Sequence, residues 1–346
     1  MKKGVLLVNL GSPDSTSPKD VKKYLDEFLM DPRVIDVPYW LRTFLVRGII
    51  LNTRPKKSAA AYEKIWWEEG SPLIVISERL QEKIQEKVTV PVALAMRYGS
   101  MTLRKGLQQL VDQQVDEVLL MPLYPQFAMA TTETITVKVA ELQEQFFPQL
   151  KITSLPAFYD RPDYIEVLSQ SISESIQNLD YEHLLFSYHG VPERHIRKSD
   201  ITNGHCKIDG QCCITPSPAH QFCYRHQCYE TTRLVAEKLQ LKENTYSTSF
   251  QSRLGFDPWL QPYTDRSIER LGKAGIKKMA IVTPAFVSDC LETLEEIAME
   301  GEEIFHESGG SEFTTIPCLN DRDDFVQILV NWIEKWRIVD LDKAIA

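Results

Sequence analysis

The sequence predicts an α/β protein of two similar, doubly wound domains, each a parallel sheet covered by helices on both faces. Three observations lead there. Short runs rich in β-branched and aliphatic residues alternate with longer segments of helical periodicity, the pattern of strands joined by crossover helices. Four such runs precede residue 160 and four follow it. The chain has 346 residues, 43% of them hydrophobic and 25% charged, and so exceeds the about 250 to 300 residues at which a single core usually divides.

In chain order the strands are expected at 4–9, 92–96, 117–121 and 151–155, then at 183–188, 245–250, 278–283 and 312–316. A boundary at 156–162 gives a first domain over 1–157 and a second over 158–320. The remainder, 321–346, carries a helix at about 322–337 whose broad apolar face (Phe325, Ile328, Leu329, Trp332, Ile333, Trp336) suits packing on either domain. A weak internal echo, "LLVNLGSP" at 6–13 and "LLFSYHGVP" at 184–192, places a polar residue, a Gly and a Pro just beyond a strand in each half. Ligands of open α/β sheets bind beyond the carboxyl ends of the strands, and two such edges facing each other make a cleft.

A net charge of −9 gives no support for nucleic-acid binding, which shows as a basic patch or stripe. No run approaches the about 18 apolar residues of a membrane span. The Met-Lys-Lys start leads into an apolar run, 5–8, too short for a signal peptide, so a cytoplasmic chain is expected. The stretch "VPYWLRTFLVRGIILNTRPKK" at 37–57 sets Trp40, Leu41, Phe44, Leu45 and Val46 beside Arg42 and Arg47. It reads either as an ordinary packed helix or as an apolar lip at 37–52 that rests on a membrane surface or covers a greasy ligand.

Three constellations can carry chemistry. "LLFSYHGVP" delivers His189 at a strand end before Gly190, and an imidazole there suits proton uptake or metal binding near neutral pH. After the strand ending at Thr283, α-helical spacing puts Asp289, Glu292, Glu296, Glu300 and Glu303 within about 80° of one face, a ladder roughly 20 Å long. It reads as a solvated acidic face or as a row of oxygen ligands for a hydrated divalent cation. The third is a set of strand-end loops with Tyr98, Tyr124, Phe127, Trp259 and Tyr263 among Arg97, Gln126, Thr131 and Thr132, which suits a large flat apolar ligand with anionic edges. Neither phosphate-binding glycine motif is present, so no nucleotide cofactor is indicated, and Ser187 in S-Y-H-G is not a hydrolase elbow.

Five of the seven cysteines fall between 206 and 228, spaced C-x5-C-C-x9-C-x4-C. In a reducing compartment such clustering favours metal ligation over disulfides. Four separated thiols suit a [2Fe–2S] cluster or a tetrahedral Zn²⁺, and reduced, metal-free thiols are the plain alternative. The lack of a C-x2-C pair counts against a zinc ribbon.

Taken together, "VNLGSP", "MRYG", "YPQF" followed by "TT", "SYHGVP", "FQSRLGFDPWLQPYTD" and "SDCLETLEEI" closely resemble the ferrochelatases, in order along nearly the whole chain. The resemblance implies two Rossmann-like domains enclosing a porphyrin cleft, and insertion of Fe²⁺ into protoporphyrin IX with loss of two pyrrole protons, the final step of haem synthesis. It implies His189 as proton acceptor or metal ligand, with Glu292 facing it and Glu296 and Glu300 behind on a helix that often contains a π-type turn. It also implies substrate contacts at Arg97, Tyr98, Tyr124 and Trp259, with Ser187 beside the histidine. Leu10 stands where coproporphyrin-using relatives carry Tyr, and the lip at 37–52 is longer and more apolar than theirs; both favour protoporphyrin and peripheral membrane contact. Cys290 replaces a His of several relatives, which puts a metal role there in doubt.

The insert 200–228 replaces a compact turn of many ferrochelatases. Relatives with an internal cysteine segment tilt its expected occupant toward [2Fe–2S], held by Cys206, Cys213, Cys223 and Cys228 with Cys212 as substitute for Cys213, and with Zn²⁺ as the alternative. The competing functional readings are a non-catalytic tetrapyrrole or metal carrier or redox sensor, and a cobalt or nickel chelatase. His189 together with Glu292 favours the enzyme over a carrier, and the apolar lip disfavours more highly carboxylated tetrapyrroles.

Overall fold

The computed structural model describes residues 2–253 and 257–338. The chain forms two compact units, one gathering the residues up to Leu123, Met129–Pro156 and the chain from Asn320, the other Tyr124–Ala128 and Ala157–Leu319.

The sheet of the first unit contains β1 (Lys3–Asn9), β2 (Val92–Met96), β3 (Glu117–Pro122) and β4 (Lys151–Ser154), all parallel in the order β2-β1-β3-β4. Val5, Leu6, Leu7 and Val8 of β1 are all fully buried, which accounts for an unbroken apolar run in place of alternation: helices cover both faces. The helix Leu103–Asp112 begins where Thr102 Oγ1 accepts the Lys105 amide at 3.3 Å, and it packs so close to the sheet that a Cβ on Gly106 would lie 2.7 Å from Leu6. The helix Pro18–Leu29 is likewise capped by Ser17, whose Oγ accepts the Asp20 amide at 3.2 Å.

The C-terminal helix Asp323–Ile338 packs on helix Pro72–Lys87 of this same unit. Lys83 pairs with Asp321 at 3.1 Å and Asp323 at 3.0 Å, and Lys3 lies 4.7 Å from the Trp336 ring centre. Residues 339–346 of the expected tail lie outside the described residues.

The stretch 37–52 is helical but not one regular helix. A short turn, Tyr39–Thr43, leads into a π-helix, Phe44–Ile50, and then into helix Leu51–Ile65, which packs on Pro18–Leu29. Val46 and Leu51 are buried, while Tyr39, Trp40, Phe44 and Ile49 are 66%, 71%, 60% and 47% exposed within the chain. Such a row of exposed large apolar side chains is uncommon on a water-facing surface.

The second unit repeats the first. Its strands β5 (His183–His189), β6 (Tyr246–Gln251), β7 (Lys278–Val282) and β8 (Glu312–Thr315) are parallel in the order β6-β5-β7-β8. Leu185, Ile268, Met279, Ile281, Ile297 and Phe305 form a buried core beneath its sheet. Every predicted strand is present within one residue at each end.

The observed division differs from 1–157 and 158–320 in that Tyr124–Ala128 group with the second unit. The cause is a set of side-chain bonds that spacing does not reveal: the Phe127 amide donates to Gln227 Oε1 at 2.7 Å, and Gln126 Nε2 donates to Thr231 Oγ1 at 3.1 Å.

Candidate active site

In the second unit β5 lies between β6 and β7, and the chain leaves β5 toward β6 but leaves β7 in the opposite direction toward β8, so the crevice at the carboxyl ends of β5 and β7 is the topological switch point. His189 is the last residue of β5. Its Nδ1–H donates to the Gly190 carbonyl at 2.7 Å, which in the neutral ring leaves the lone pair on Nε2. The ring meets Phe286 edge to face at 6.3 Å, and the backbone carbonyl of His189 accepts the Tyr224 hydroxyl at 2.8 Å. Only glycine fits after it, because a Cβ on Gly190 would stand 2.9 Å from the Gln251 carbonyl.

The segment after β7 carries the acids, with a correction to their geometry. Asp289 lies in the connecting loop and accepts the Thr293 hydroxyl at 2.9 Å; Glu292–Gly301 is a π-helix, and Glu303 belongs to the α-helix Glu302–Glu307 that continues it. The wider i→i+5 winding re-phases the side chains, so the five acids are not one α-helical ladder. Glu292 and Glu296 are partly buried and Glu300 is exposed. Burial raises the Glu296 pKa, helped by the charges of Glu292 and Glu300; the Ser252 hydrogen bond and the charge of His189 act in the opposite direction. His189 and Glu296 are therefore close enough to feel each other. Cys290 is fully buried and burial drives its thiol pKa well up, so it is an inert neighbour.

Two residues from the end of β6, absent from the predicted set, join these parts. Ser252 Oγ reaches Glu296 Oε1 at 2.9 Å and Oε2 at 2.7 Å from a left-handed backbone, φ 62°. Gln251 accepts the Ser187 hydroxyl at 2.9 Å through Oε1, donates through Nε2 to the Glu292 carbonyl at 3.2 Å, and offers its own carbonyl to the Gly190 amide at 2.6 Å. The signal available in the sequence was their position directly after a strand that pairs with β5. Ser187 itself is fully buried, its hydroxyl shared between Gln251 and Thr264, so it bears on the site through Gln251. Trp259 is partly buried and bridges to Pro192, just after the histidine turn. Tyr124 is 8% exposed.

In the first unit Leu10, partly buried, follows β1, and its carbonyl accepts the Tyr98 amide at 2.9 Å. The two strand-end loops touch so closely that a Cβ on Gly11, at φ +114°, would lie 2.1 Å from the Tyr98 carbonyl. Arg97 pairs through Nη2 with Asp31 and donates through Nε to Thr134 Oγ1 at 2.8 Å. Tyr98 is 1% exposed with its hydroxyl on Asp31 at 3.0 Å, and burial is the main cause that raises its pKa. It is a wall of this network before it is a free contact surface.

The insert is organised around Asp200, which accepts the amides of Thr202, Gly204, His205 and Cys206 at 2.9, 3.1, 2.8 and 2.9 Å. Burial opposes its ionisation, but the Thr202 hydroxyl, which donates to Oδ1 at 2.6 Å, and these amides outweigh burial and hold its pKa well below the usual carboxylate range. Cys206, Cys212, Cys213, Cys223 and Cys228 are all buried and free. The Cys223 thiol lies beside those of Cys206 and Cys213; burial pushes Cys206 up to about 11, and the Cys223 contact and burial together push Cys213 further. Cys212 instead turns to Asp209. Arg225 Nη1 donates to Cys213 Sγ at 3.2 Å, while its buried Nε has no partner among the described residues. The donor chemistry suits a soft metal centre, whereas as placed no three or more His, Cys, Asp or Glu side chains among the described residues are arranged to hold a metal ion. That holds for the insert and for the acids near His189 alike.

A family model described as Ferrochelatase matches residues 2–336. The chain is 50% identical to a ferrochelatase of Opitutus terrae, covering 96% of this chain and 97% of that protein, and 48% identical to one of Ectopseudomonas mendocina, covering 94% and 95%. Among solved structures it is similar to the sirohydrochlorin chelatase SirB of Bacillus subtilis subspecies spizizenii in complex with cobalt, with a TM-score of 0.56 at 10% identity over 99% of both chains. A second SirB structure from Bacillus subtilis, with Fe³⁺, gives 0.53 at 12% identity over 97% and 95%. At such identities these two speak for the fold alone. Two parallel four-stranded sheets of one shared order, a histidine and an acidic π-helix at the switch point of the second, and near-full-length identity to named relatives converge: the chain belongs to the ferrochelatase family.

Proposed function

We infer that this chain inserts ferrous iron into protoporphyrin IX, yielding protohaem and two protons. The observation that carries the reading is His189, with its Nε2 lone pair available, at the switch point where its charge lowers the pKa of Glu296 against the effect of burial. A planar porphyrin keeps its nitrogen lone pairs in its own plane, so insertion needs acceptors for two pyrrole protons and a cation stripped of water. His189 Nε2 takes up a proton from the macrocycle; Glu292, Glu296 and Glu300 supply oxygens to the entering Fe²⁺ and pass protons outward to solvent, which Glu300 reaches. Gln251 and Ser187 hold the histidine turn and the first turn of the π-helix to one another. Fe²⁺ is a substrate here.

On the macrocycle, Trp259 and Tyr124 contribute apolar walls, Arg97 receives a propionate, Tyr98 backs it, and Leu10 leaves the surface after β1 apolar. The exposed Tyr39, Trp40, Phe44 and Ile49 suit an interfacial contact with lipid, from which an apolar porphyrin arrives; no helix of the described residues is long and apolar enough to cross a membrane.

For the insert we propose a [2Fe–2S] cluster on Cys206, Cys213, Cys223 and Cys228. Its support is the burial of all four and the contacts of Cys223 with Cys206 and Cys213, with Cys212 turned to Asp209. When bound, the cluster supplies one-electron redox chemistry, and Arg225 donates to Cys213 beside it. Visible absorption, EPR and acid-labile sulfide of anaerobically purified protein test it, and a colourless protein carrying zinc and no sulfide contradicts it.

The test of the main reading is an anaerobic assay with Fe²⁺ and protoporphyrin IX, run beside coproporphyrin III and beside Co²⁺ and Ni²⁺. Faster metalloporphyrin formation from protoporphyrin and Fe²⁺ is expected. Binding without insertion would instead mark a carrier.

A further inference from the structure

We propose that Asp31 is a positioning residue for substrate, the anchor that fixes the Arg97 guanidinium to receive a propionate carboxylate of the porphyrin. The inference deepens the reading above and rests on Arg97 as the propionate partner.

Asp31 follows helix Pro18–Leu29 by two residues and is 6% exposed. Three donors from two separate segments, the loop that carries Arg97 and Tyr98 and the segment that carries Thr134, converge on its Oδ2: the Arg97 Nη2, the Thr134 hydroxyl at 2.6 Å and the Tyr98 hydroxyl at 3.0 Å. Its Oδ1 accepts the Arg33 amide at 2.7 Å. Arg97 Nε is held as well, donating to Thr134 Oγ1 at 2.8 Å and to the Thr134 carbonyl at 3.3 Å, and the guanidinium carbon lies 4.4 Å from the Tyr98 ring centre. A guanidinium is a rigid planar fork of five N–H donors. Here Nε and Nη2 are committed, whereas Nη1 has no hydrogen-bond partner among the described residues. The plane is therefore fixed while one edge stays open for a carboxylate.

A loose arginine loses side-chain entropy when it captures a ligand; one already immobilised does not. Asp31 also cancels the charge of Arg97, which by itself weakens attraction for an anion. The two effects predict opposite results for Asp31→Asn. If positioning dominates, binding weakens; if charge dominates, it tightens.

The experiment measures Kd for protoporphyrin IX by fluorescence, with kcat and KM, in Asp31→Asn, Asp31→Glu, Thr134→Val and Arg97→Lys, and repeats the binding with the dimethyl ester, which has no free carboxylate. Asp31→Asn is expected to raise Kd and KM on the order of tenfold, with kcat and the KM for Fe²⁺ little changed. Asp31→Glu recovers part of the loss, and binding of the diester is indifferent to all four changes. Tighter or unchanged binding by Asp31→Asn while Arg97→Lys binds weakly overturns the role of Asp31 and leaves that of Arg97. Unchanged binding by Arg97→Lys removes the reading on which the inference rests. Should Asp31→Asn fail to fold, Thr134→Val decides, since it removes a bond to each partner: weaker acid binding with intact diester binding supports the proposal, and equal loss of both overturns it.

Discussion

Ser252 presents its hydroxyl to both carboxyl oxygens of Glu296, at 2.9 and 2.7 Å, from a backbone conformation that a side chain other than glycine rarely adopts. Strain of this kind costs on the order of 1 to 3 kcal/mol and persists where the surroundings enforce it. Here the surroundings are the histidine turn, the end of β6 and the acidic π-helix.

Loss of that hydroxyl shifts the pH dependence of catalysis. Burial raises the Glu296 pKa and the Ser252 bond opposes it, so Ser252→Ala lets it rise further. If the ionised carboxylate is the working form, activity falls as pH falls through this pKa. The acid limb of kcat/KM is then expected to move to higher pH, with the rate well above it preserved. An unmoved limb contradicts the assignment.

Glu296 also costs stability. A group whose folded pKa is raised stabilises the fold fully only below its unfolded value, about 4.3, and that contribution is lost as pH rises through the folded pKa. Glu296→Gln is accordingly expected to raise the melting temperature at neutral pH while lowering iron insertion. Equal or lower stability there would mean that the carboxylate is satisfied within the fold.

The insert responds to acid in the opposite sense. The folded pKa of Asp200 lies below its unfolded value, so its contribution is present above about pH 4 and is lost as pH falls. Amide protection factors, exchange rates corrected for the intrinsic pH dependence, should fall at Thr202, Gly204, His205 and Cys206 on acidification before those of the sheets. Asp200→Asn should show the lowered protection already at pH 7.

Phe305 is fully buried among Leu185, Ile268, Met279, Ile281 and Ile297, and Gly310 packs so tightly on it that a Cβ there would lie 2.3 Å from the ring. Phe305→Ala should cost about 3 to 5 kcal/mol in denaturant unfolding. Gly310→Ala should destabilise by overpacking.

The exposed row on 39–49 is tested by vesicle flotation. Replacing Trp40 and Phe44, 71% and 60% exposed, by Ser should reduce co-flotation with lipid vesicles and leave melting unchanged. Unaltered vesicle binding would assign the row another role.

Both sheets were legible in the sequence, because each strand is an apolar run between turn residues and parallel strands are buried on both faces. His189 and the acids after β7 were legible for a related reason: they stand at strand ends. The π winding was not, since α and π spacings share the same residues until hydrogen bonds choose between them. Asp31, Gln251 and Ser252 were overlooked because their importance comes from partners 66, 41 and 44 residues away. The placement of Tyr124–Ala128 with the second unit escaped for the same reason, resting on Gln227 and Thr231 about 100 residues on.

The central claim, that His189 accepts a proton during metal insertion, is tested most directly by single-turnover haem formation in His189→Ala with protoporphyrin IX already bound under anaerobic conditions. Porphyrin affinity within a few-fold of the parent protein together with loss of protohaem absorption is the predicted result. Insertion at the parental rate would contradict it.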